Sequence, residues 1–189
     1  MDSRKGERYV GPYTVLHSQP VYENPWMKVR EDRVERQGEE TSFGIVAIKP
    51  GVTVLGLDDT GNVYLVREFK YAVGAATLEA VSGAIESGET PEQAGLRELA
   101  EEVSLTAAEW VDMGVINPFT TLVNSPNHMF LARKLSKIGR RSVPGEHVEV
   151  VEMSFEEALR AVLEGTITHG ASCVLILKAH LYLSRSRSA

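Results

Sequence analysis

Residues 83–105 read GAIESGETPEQAGLRELAEEVSL, and the rest of the chain is best understood outward from this stretch. Thr90-Pro91-Glu92-Gln93 has the form of a capping box, with Thr90 as N-cap, proline at the first helical position and Gln93 placed to reach back to the cap. A helix is therefore predicted to start at Pro91. Leu96, Leu99, Ala100 and Val103 then recur at helical spacing, an apolar stripe that needs a core to pack on. Glu98, Glu101 and Glu102 fall on the opposite side and are neighbours of one another, so their charges repel. Glu101 and Glu102 also sit in the last turn, where the helix dipole disfavours negative charge, and Arg97 is the helix's sole basic residue. The arrangement costs stability unless a cation sits among the carboxylates. A solvated acidic face is the bland alternative, but it leaves Gly83, Glu89 and Arg97 unexplained.

The bulk properties restrict the class of protein. A chain of 189 residues is long enough for one domain that buries roughly 70% of its unfolded surface. With 43% apolar and 24% charged residues the composition is that of a globular protein. A formal charge of −6 argues against a broad nucleic-acid surface, so no nucleic-acid partner is expected. The single cysteine, Cys173, excludes an internal disulfide and fits a reducing compartment. It lies in the apolar run 173–177, which favours packing over nucleophilic catalysis. The opening residues MDSRKGERYV have no apolar signal region, and no stretch approaches the roughly 18 apolar residues of a membrane span. A cytoplasmic protein with no membrane partner is expected.

Strands are predicted at 13–22, 26–37, 41–49, 52–57 and 63–69, with the turn cluster Asp58-Asp59-Thr60-Gly61-Asn62 joining the last two as a hairpin. Further strands are expected at 110–116, 129–132 and 148–152. Ser154-Phe155-Glu156-Glu157 is a second capping box, opening a helix that should stop at Gly165, and 171–183 reads as a last, largely buried helix. Residues 184–189 read as a disordered polar tail. The expected organisation is N-terminal strands over 1–50 followed by a core over 51–183. Strands surrounding helices in one mixed sheet imply an α+β fold, an α/β/α sandwich.

The offsets Gly83, Glu89, Arg97-Glu98-Leu99, Glu101-Glu102 and Leu105 resemble the Nudix hydrolase signature at every charged position, at the first glycine and at the last aliphatic residue. The departure is Ser104, where that family has a glycine that closes the helix through a left-handed conformation. The resemblance implies the Nudix fold and hydrolysis of a nucleoside diphosphate linked to another group. Glu98, Glu101 and Glu102, with the carbonyl of Ser82, are the implied ligands of Mg²⁺ or Mn²⁺, and Glu102 is the leading catalytic candidate. Glu89 and Arg97 are implied to orient those glutamates.

Looser similarity over about residues 26–178 points to the ADP-ribose pyrophosphatase branch. It is carried by residues 26–30, the run Val66-Arg67-Glu68-Phe69-Lys70-Tyr71, Leu78-Glu79 and the segment 146–150. The branch implies that Arg67 contacts the diphosphate, that Glu79 lies near substrate or metal, and that Trp26 stacks on the base. The competing readings are a surface charge for Arg67 and a core or interface residue for Trp26. Glu146 is the implied general base, with Glu149 its nearest competitor. His128 reads as a structural histidine at the head of a strand. The branch also implies a homodimer that exchanges its N-terminal strands, which offer edges in need of a partner.

Residues 117–128 depart from the branch. Pro118 matches, but Phe119-Thr120-Thr121 replaces Ser-Pro-Gly and Ser125 takes an acidic place, so the sugar beyond the diphosphate is open. The expected activity is hydrolysis of ADP-ribose or a related nucleoside diphosphate sugar to a nucleoside monophosphate and a sugar phosphate. Hydrolysis of other nucleoside polyphosphates and a catalytically silent nucleotide-sugar sensor are the alternatives.

Overall fold

The computed structural model describes residues 8–139 and 148–186, so Glu146, the loop carboxylate expected as general base, lies outside the described residues. The elements, in chain order, are β1 (Arg8–Val10), β2 (Tyr13–Glu23), β3 (Met27–Arg36), β4 (Glu39–Ile48), β5 (Gly51–Leu57), β6 (Asn62–Lys70), β7 (Ala75–Ala84), α1 (Pro91–Val103), β8 (Leu105–Ile116), β9 (Val123–Asn124), β10 (Asn127–Lys137), β11 (Glu149–Ser154), α2 (Phe155–Leu163) and α3 (Gly170–Ser186). Two compact units result: Met1–Lys49 with Asn117–Ser125, and Pro50–Ile116 with Pro126–Ala189.

The first unit is a sheet in the order β1-β2-β3-β4-β9, antiparallel except for the short parallel pairing of β9 with β4. Among its described residues the one deeply buried charge is Asp32, 3% exposed. Burial opposes the charged carboxylate, yet the Ser18 hydroxyl at 2.5 Å and the Arg30 guanidinium at 3.2 Å hold its pKa below the ordinary value. Several apolar residues of this unit face solvent, among them Tyr22, Trp26 and Phe43.

The second unit is a mixed sheet in the order β11-β6-β7-β5-β10-β8, in which β5 and β10 run parallel. Alternation along each strand sends successive side chains to opposite faces. Val52, Val54, Val66 and Val81 pack with Ala94, Leu99 and Val103 of α1, whereas Leu55, Leu57, Leu65 and Ala80 pack with Ala158 of α2 and Leu175, Ile176 and Ala179 of α3. The unit is therefore an α/β/α sandwich with a central mixed sheet. No helix among the described residues is long and apolar enough to cross a membrane.

Strand β7 was absent from the sequence expectation, as were β1 and β9. β7 lies between β6 and β5, pairing with β6 along residues 75–80 and with β5 along 81–84. Beyond Val54 the β5 strand turns instead to β6, pairing Gly56 with Tyr64 and Leu57 with Val63. The sheet thus opens between β5 and the first half of β7. Strand β8 begins at Leu105 rather than Trp110, and α3 runs to Ser186, through residues expected in the polar tail.

Helix α1 starts at Pro91 with both capping-box bonds formed, Gln93 N–H to Thr90 Oγ1 at 3.2 Å and Thr90 N–H to Gln93 Oε1 at 2.9 Å. Its apolar face is rotated from the predicted stripe. A Cβ on Gly95 would stand 3.0 Å from Val54, so the backbone approaches the sheet there, and Leu96 is left 39% exposed. The helix ends with Ser104 in the left-handed conformation, φ 56° and ψ 40°, its N–H bonded to Leu99 O. Serine thus adopts the geometry that glycine takes without a Cβ penalty.

Two outcomes follow. Ser104→Gly should stabilise the protein by about 1 kcal/mol in denaturant unfolding, by relieving the Cβ strain. Because the folded pKa of Asp32 lies below its unfolded value, its charge stabilises the fold above about pH 4, and that contribution is lost as pH falls through the folded pKa. The stability gap between wild type and Asp32→Asn, measured by urea titration, should accordingly be wide at neutral pH and narrow in acid.

Candidate active site

The site is assembled where α1 meets the end of β7. Arg97 is its hub. Nε and Nη2 grip Glu89 at 2.8 and 3.1 Å, Nη2 also donates to Ala84 O at 2.9 Å, and Nη1 donates to Glu98 at 2.6 Å and Glu101 at 3.2 Å. Five N–H groups meet five acceptor contacts, as the planar fork of arginine allows. Glu89 also accepts from Glu86 N–H at 3.0 Å, and the Arg97 bonds, with this backbone donor, bring its pKa down to about 2. The same carboxylates push the Arg97 guanidinium above its ordinary pKa, so it is charged throughout.

Gly83 makes the close approach possible. A Cβ built there would overlap the Glu98 carboxylate, so any larger residue must displace it. Glu102 accepts from Ser82 N–H at 3.3 Å, and its pKa is pushed up to about 8 by burial and then by the charge of Glu98. The expectation that the three glutamates share a face directed away from the core is corrected here: Glu98 and Glu102 are turned toward β7.

Lys70, to which the sequence reading gave no role, is a second cation of this region. Burial works against its charge, yet its bond to Glu68 and the fields of Glu79, Glu68 and Glu102 raise its pKa above the usual lysine value. Strand alternation explains its placement: Val66, Glu68 and Lys70 face α1, whereas Leu65 and Arg67 face the other way. Arg67 instead stands opposite Glu149 on β11, 3.6 Å from its carboxylate. Glu79 is 7% exposed on the same face of β7 as Val81 and accepts from the Thr77 hydroxyl at 2.6 Å.

The structure therefore brings together Ser82, Glu89, Arg97, Glu98, Glu101 and Glu102, with Glu79 joined to Glu102 through the field of Lys70. Trp26 belongs to the first unit and is 73% exposed, with the Asn24 side chain accepting from Trp26 N–H at 2.9 Å. That exposure removes the core reading for Trp26 within this chain. His128 lies half-buried inside β10. The variable segment is split, Asn117–Ser125 belonging to the first unit.

Glu98, Glu101 and Glu102, with Ser82, are the residues whose chemistry suits a divalent ion: all are oxygen donors, the preference of hard cations. Among the described residues no three His, Cys, Asp or Glu side chains stand in a ready ligand arrangement, and Arg97 holds one oxygen each of Glu98 and Glu101. The close approach that Gly83 allows sets the Glu98 carboxylate against β7, and the charge of Glu98 bears on Glu102, a crowding of carboxylates that nonetheless fits a cation.

Residues 47–167 match the model of the NUDIX domain, and residues 13–38 match the nucleoside diphosphate sugar hydrolase N-terminal domain. The chain belongs to the Nudix hydrolase family. Similar proteins carry more particular names: the ADP-ribose pyrophosphatase of Bacillus subtilis is 32% identical over 134 residues, spanning 70% of this chain and 72% of that one. The ADP-ribose pyrophosphatase of Mycobacterium tuberculosis is 26% identical over 175 residues, spanning 89% and 83%. A crystal structure of an ADP compounds hydrolase superposes with a TM-score of 0.81 at 17% identity, covering 95% of this chain and 98% of its own, which supports the fold.

If Arg97 orients the glutamates, Arg97→Lys keeps the charge but loses the fork and should cut kcat by about tenfold to a hundredfold with little change in melting temperature. Gly83→Ala should do the same by displacing Glu98, checked by steady-state kinetics beside circular dichroism.

Proposed function

We propose that this Nudix hydrolase cleaves the diphosphate bond of ADP-ribose or a related nucleoside diphosphate sugar, releasing a nucleoside monophosphate and a sugar phosphate. The observation that carries the reading is the half-buried Glu102 carboxylate crowded by the charge of Glu98, which Gly83 admits against β7, with Arg97 locking the neighbouring glutamates. The similarity of the first unit to a nucleoside diphosphate sugar hydrolase N-terminal domain, and the names of the two bacterial relatives, favour a sugar-bearing substrate over a nucleoside triphosphate.

Glu98, Glu101 and Glu102, with the Ser82 carbonyl, would hold Mg²⁺ or Mn²⁺. Such an ion, when bound, neutralises phosphate charge and acidifies water next to it. The chain's own residues do the rest. Arg97 and Glu89 keep the glutamates in place, and Lys70 offers an ammonium to the diphosphate oxygens from within the carboxylate group; Arg67, expected at the diphosphate, is turned to the other face of β6 and stands against Glu149. Glu79 is a fixed acceptor for a donor group on the substrate. Trp26 offers an exposed indole face to a base or to a second subunit. Glu146 is the proposed general base, with Glu149, already facing Arg67, as the competitor.

The assembly proposed is a homodimer that exchanges N-terminal strands. The exposed apolar residues of the first unit and the three-residue edge strand β1 support it.

The test is product release from ADP-ribose, GDP-mannose, UDP-glucose, ADP-glucose and nucleoside triphosphates with Mg²⁺. ADP-ribose or another nucleotide sugar should turn over, Glu102→Gln should lower kcat by about a thousandfold, and chelation should abolish the rate until Mg²⁺ or Mn²⁺ is restored. Full activity in Glu102→Gln would remove the carboxylate from the mechanism.

A further inference from the structure

Strand β7 contains a backbone donor that the sheet does not satisfy. Because β5 leaves β7 beyond Val54, the Ala80 N–H has no strand partner on that side, and it donates instead to Ser172 Oγ of α3 at 2.9 Å. Ser172 is fully buried, so the N-terminal turn of α3 plugs the opening in the sheet.

His169 stands one residue before this helix, with Nδ1 2.8 Å from Ser172 Oγ and 3.3 Å from Glu79 Oε2. The other oxygen of Glu79 accepts from Thr77 Oγ1 at 2.6 Å. Both oxygens of this buried carboxylate therefore have a named neighbour: a hydroxyl on its own strand, and an imidazole from another element. The closure of the sheet runs through Ser172, whose hydroxyl also contacts the imidazole. The His169 side chain remains 31% exposed while that of Glu79 is 10% exposed.

We propose that His169 is a positioning residue that fixes the orientation of the Glu79 carboxylate toward the substrate. The inference rests on the reading that Glu79 meets the substrate. With its proton on Nδ1, His169 gives its hydrogen bond to Ser172 Oγ and brings the polarised N–H to 3.3 Å from Glu79 Oε2, while Thr77 donates to Oε1. The carboxylate plane is then set from both ends and its remaining lone pairs are aimed at a hydroxyl or amino donor of the nucleotide sugar. A carboxylate held by Thr77 alone would turn about its terminal bond, and the substrate would have to order it at the moment of binding, which weakens affinity more than turnover. Helix α3 thereby acts on the substrate pocket through a single imidazole, by way of the same turn that closes the sheet.

The experiment is a double-mutant cycle of His169→Ala and Glu79→Gln, read as KM and kcat for ADP-ribose with Mg²⁺ beside the melting temperature, with His169→Asn as the conservative variant. His169→Ala should raise KM about five- to tenfold with kcat within about twofold, His169→Asn should recover most of that loss through its side-chain amide, and His169→Ala should add nothing in the Glu79→Gln background. Should alanine unfold the protein, His169→Leu fills the same volume and serves in the cycle. A KM rise in Glu79→Gln without one in His169→Ala overturns the positioning role, as does an equal effect of His169→Ala in both backgrounds. An unchanged KM in Glu79→Gln instead removes Glu79 from the substrate site, and the failure then lies with the functional reading beneath the inference.

Discussion

The guanidinium of Arg97 is the constraint on which the site depends. It joins Ala84 O at the end of β7, Glu89 in the following loop, and Glu98 and Glu101 on the helix. Three pieces of chain with separate local preferences are tied to one planar group. Removing it would leave several acceptors unpaired at once, and the repulsion among the helix glutamates would be uncompensated. A pair of exposed ions would contribute little. Here the geometry is bidentate and partly buried, and the acceptors include a backbone carbonyl, so the arrangement specifies position as much as it stabilises.

The second constraint is the thinness of β7. Gly83 admits Glu98, Ser82 presents its N–H to Glu102, and Ala80 presents its N–H to α3. A central strand of larger residues would push α1 away and seal the opening beside β5. The strand that is least favourable by composition is thus the one that brings both helical layers within reach of the carboxylates. Its neighbours supply the stability it lacks: Val52, Val54, Val66 and Leu65 are all at most 3% exposed.

That division decides what could be read in the sequence. Helix α1 was legible because its signals are local: a cap, a proline, a reaching glutamine and an apolar period. Strand β7 was not. Ala75, Ala76, Ala80, Gly83 and Ala84 have weak strand preference, and what holds them is a ladder to β6 and β5. The carboxylate motif gave the members of the site but not their neighbours. Lys70 faces the glutamates and Arg67 does not, a distinction set by which face of β6 meets α1. His169 and Ser172 reach Glu79 and Ala80 from about ninety residues away in the chain, a separation across which pattern reading has no purchase.

The charges around α1 also account for the kind of partner the site needs. Glu68, Glu79, Glu89, Glu98, Glu101 and Glu102 are gathered about Lys70 and Arg97, so carboxylates outnumber the cations facing them. A diphosphate would be repelled by that surplus on its own. Arg97 cannot turn to meet it, since its five donors are already engaged. It holds Glu98 through Oε1 and Glu101 through Oε2, while each carboxylate carries a second oxygen. On the proposed assignment the clamp and the ion use different oxygens of the same side chains. The guanidinium would then aim the glutamates without competing for them, and the surplus of negative charge that excludes a bare anion would become the means of admitting one together with its counter-ion.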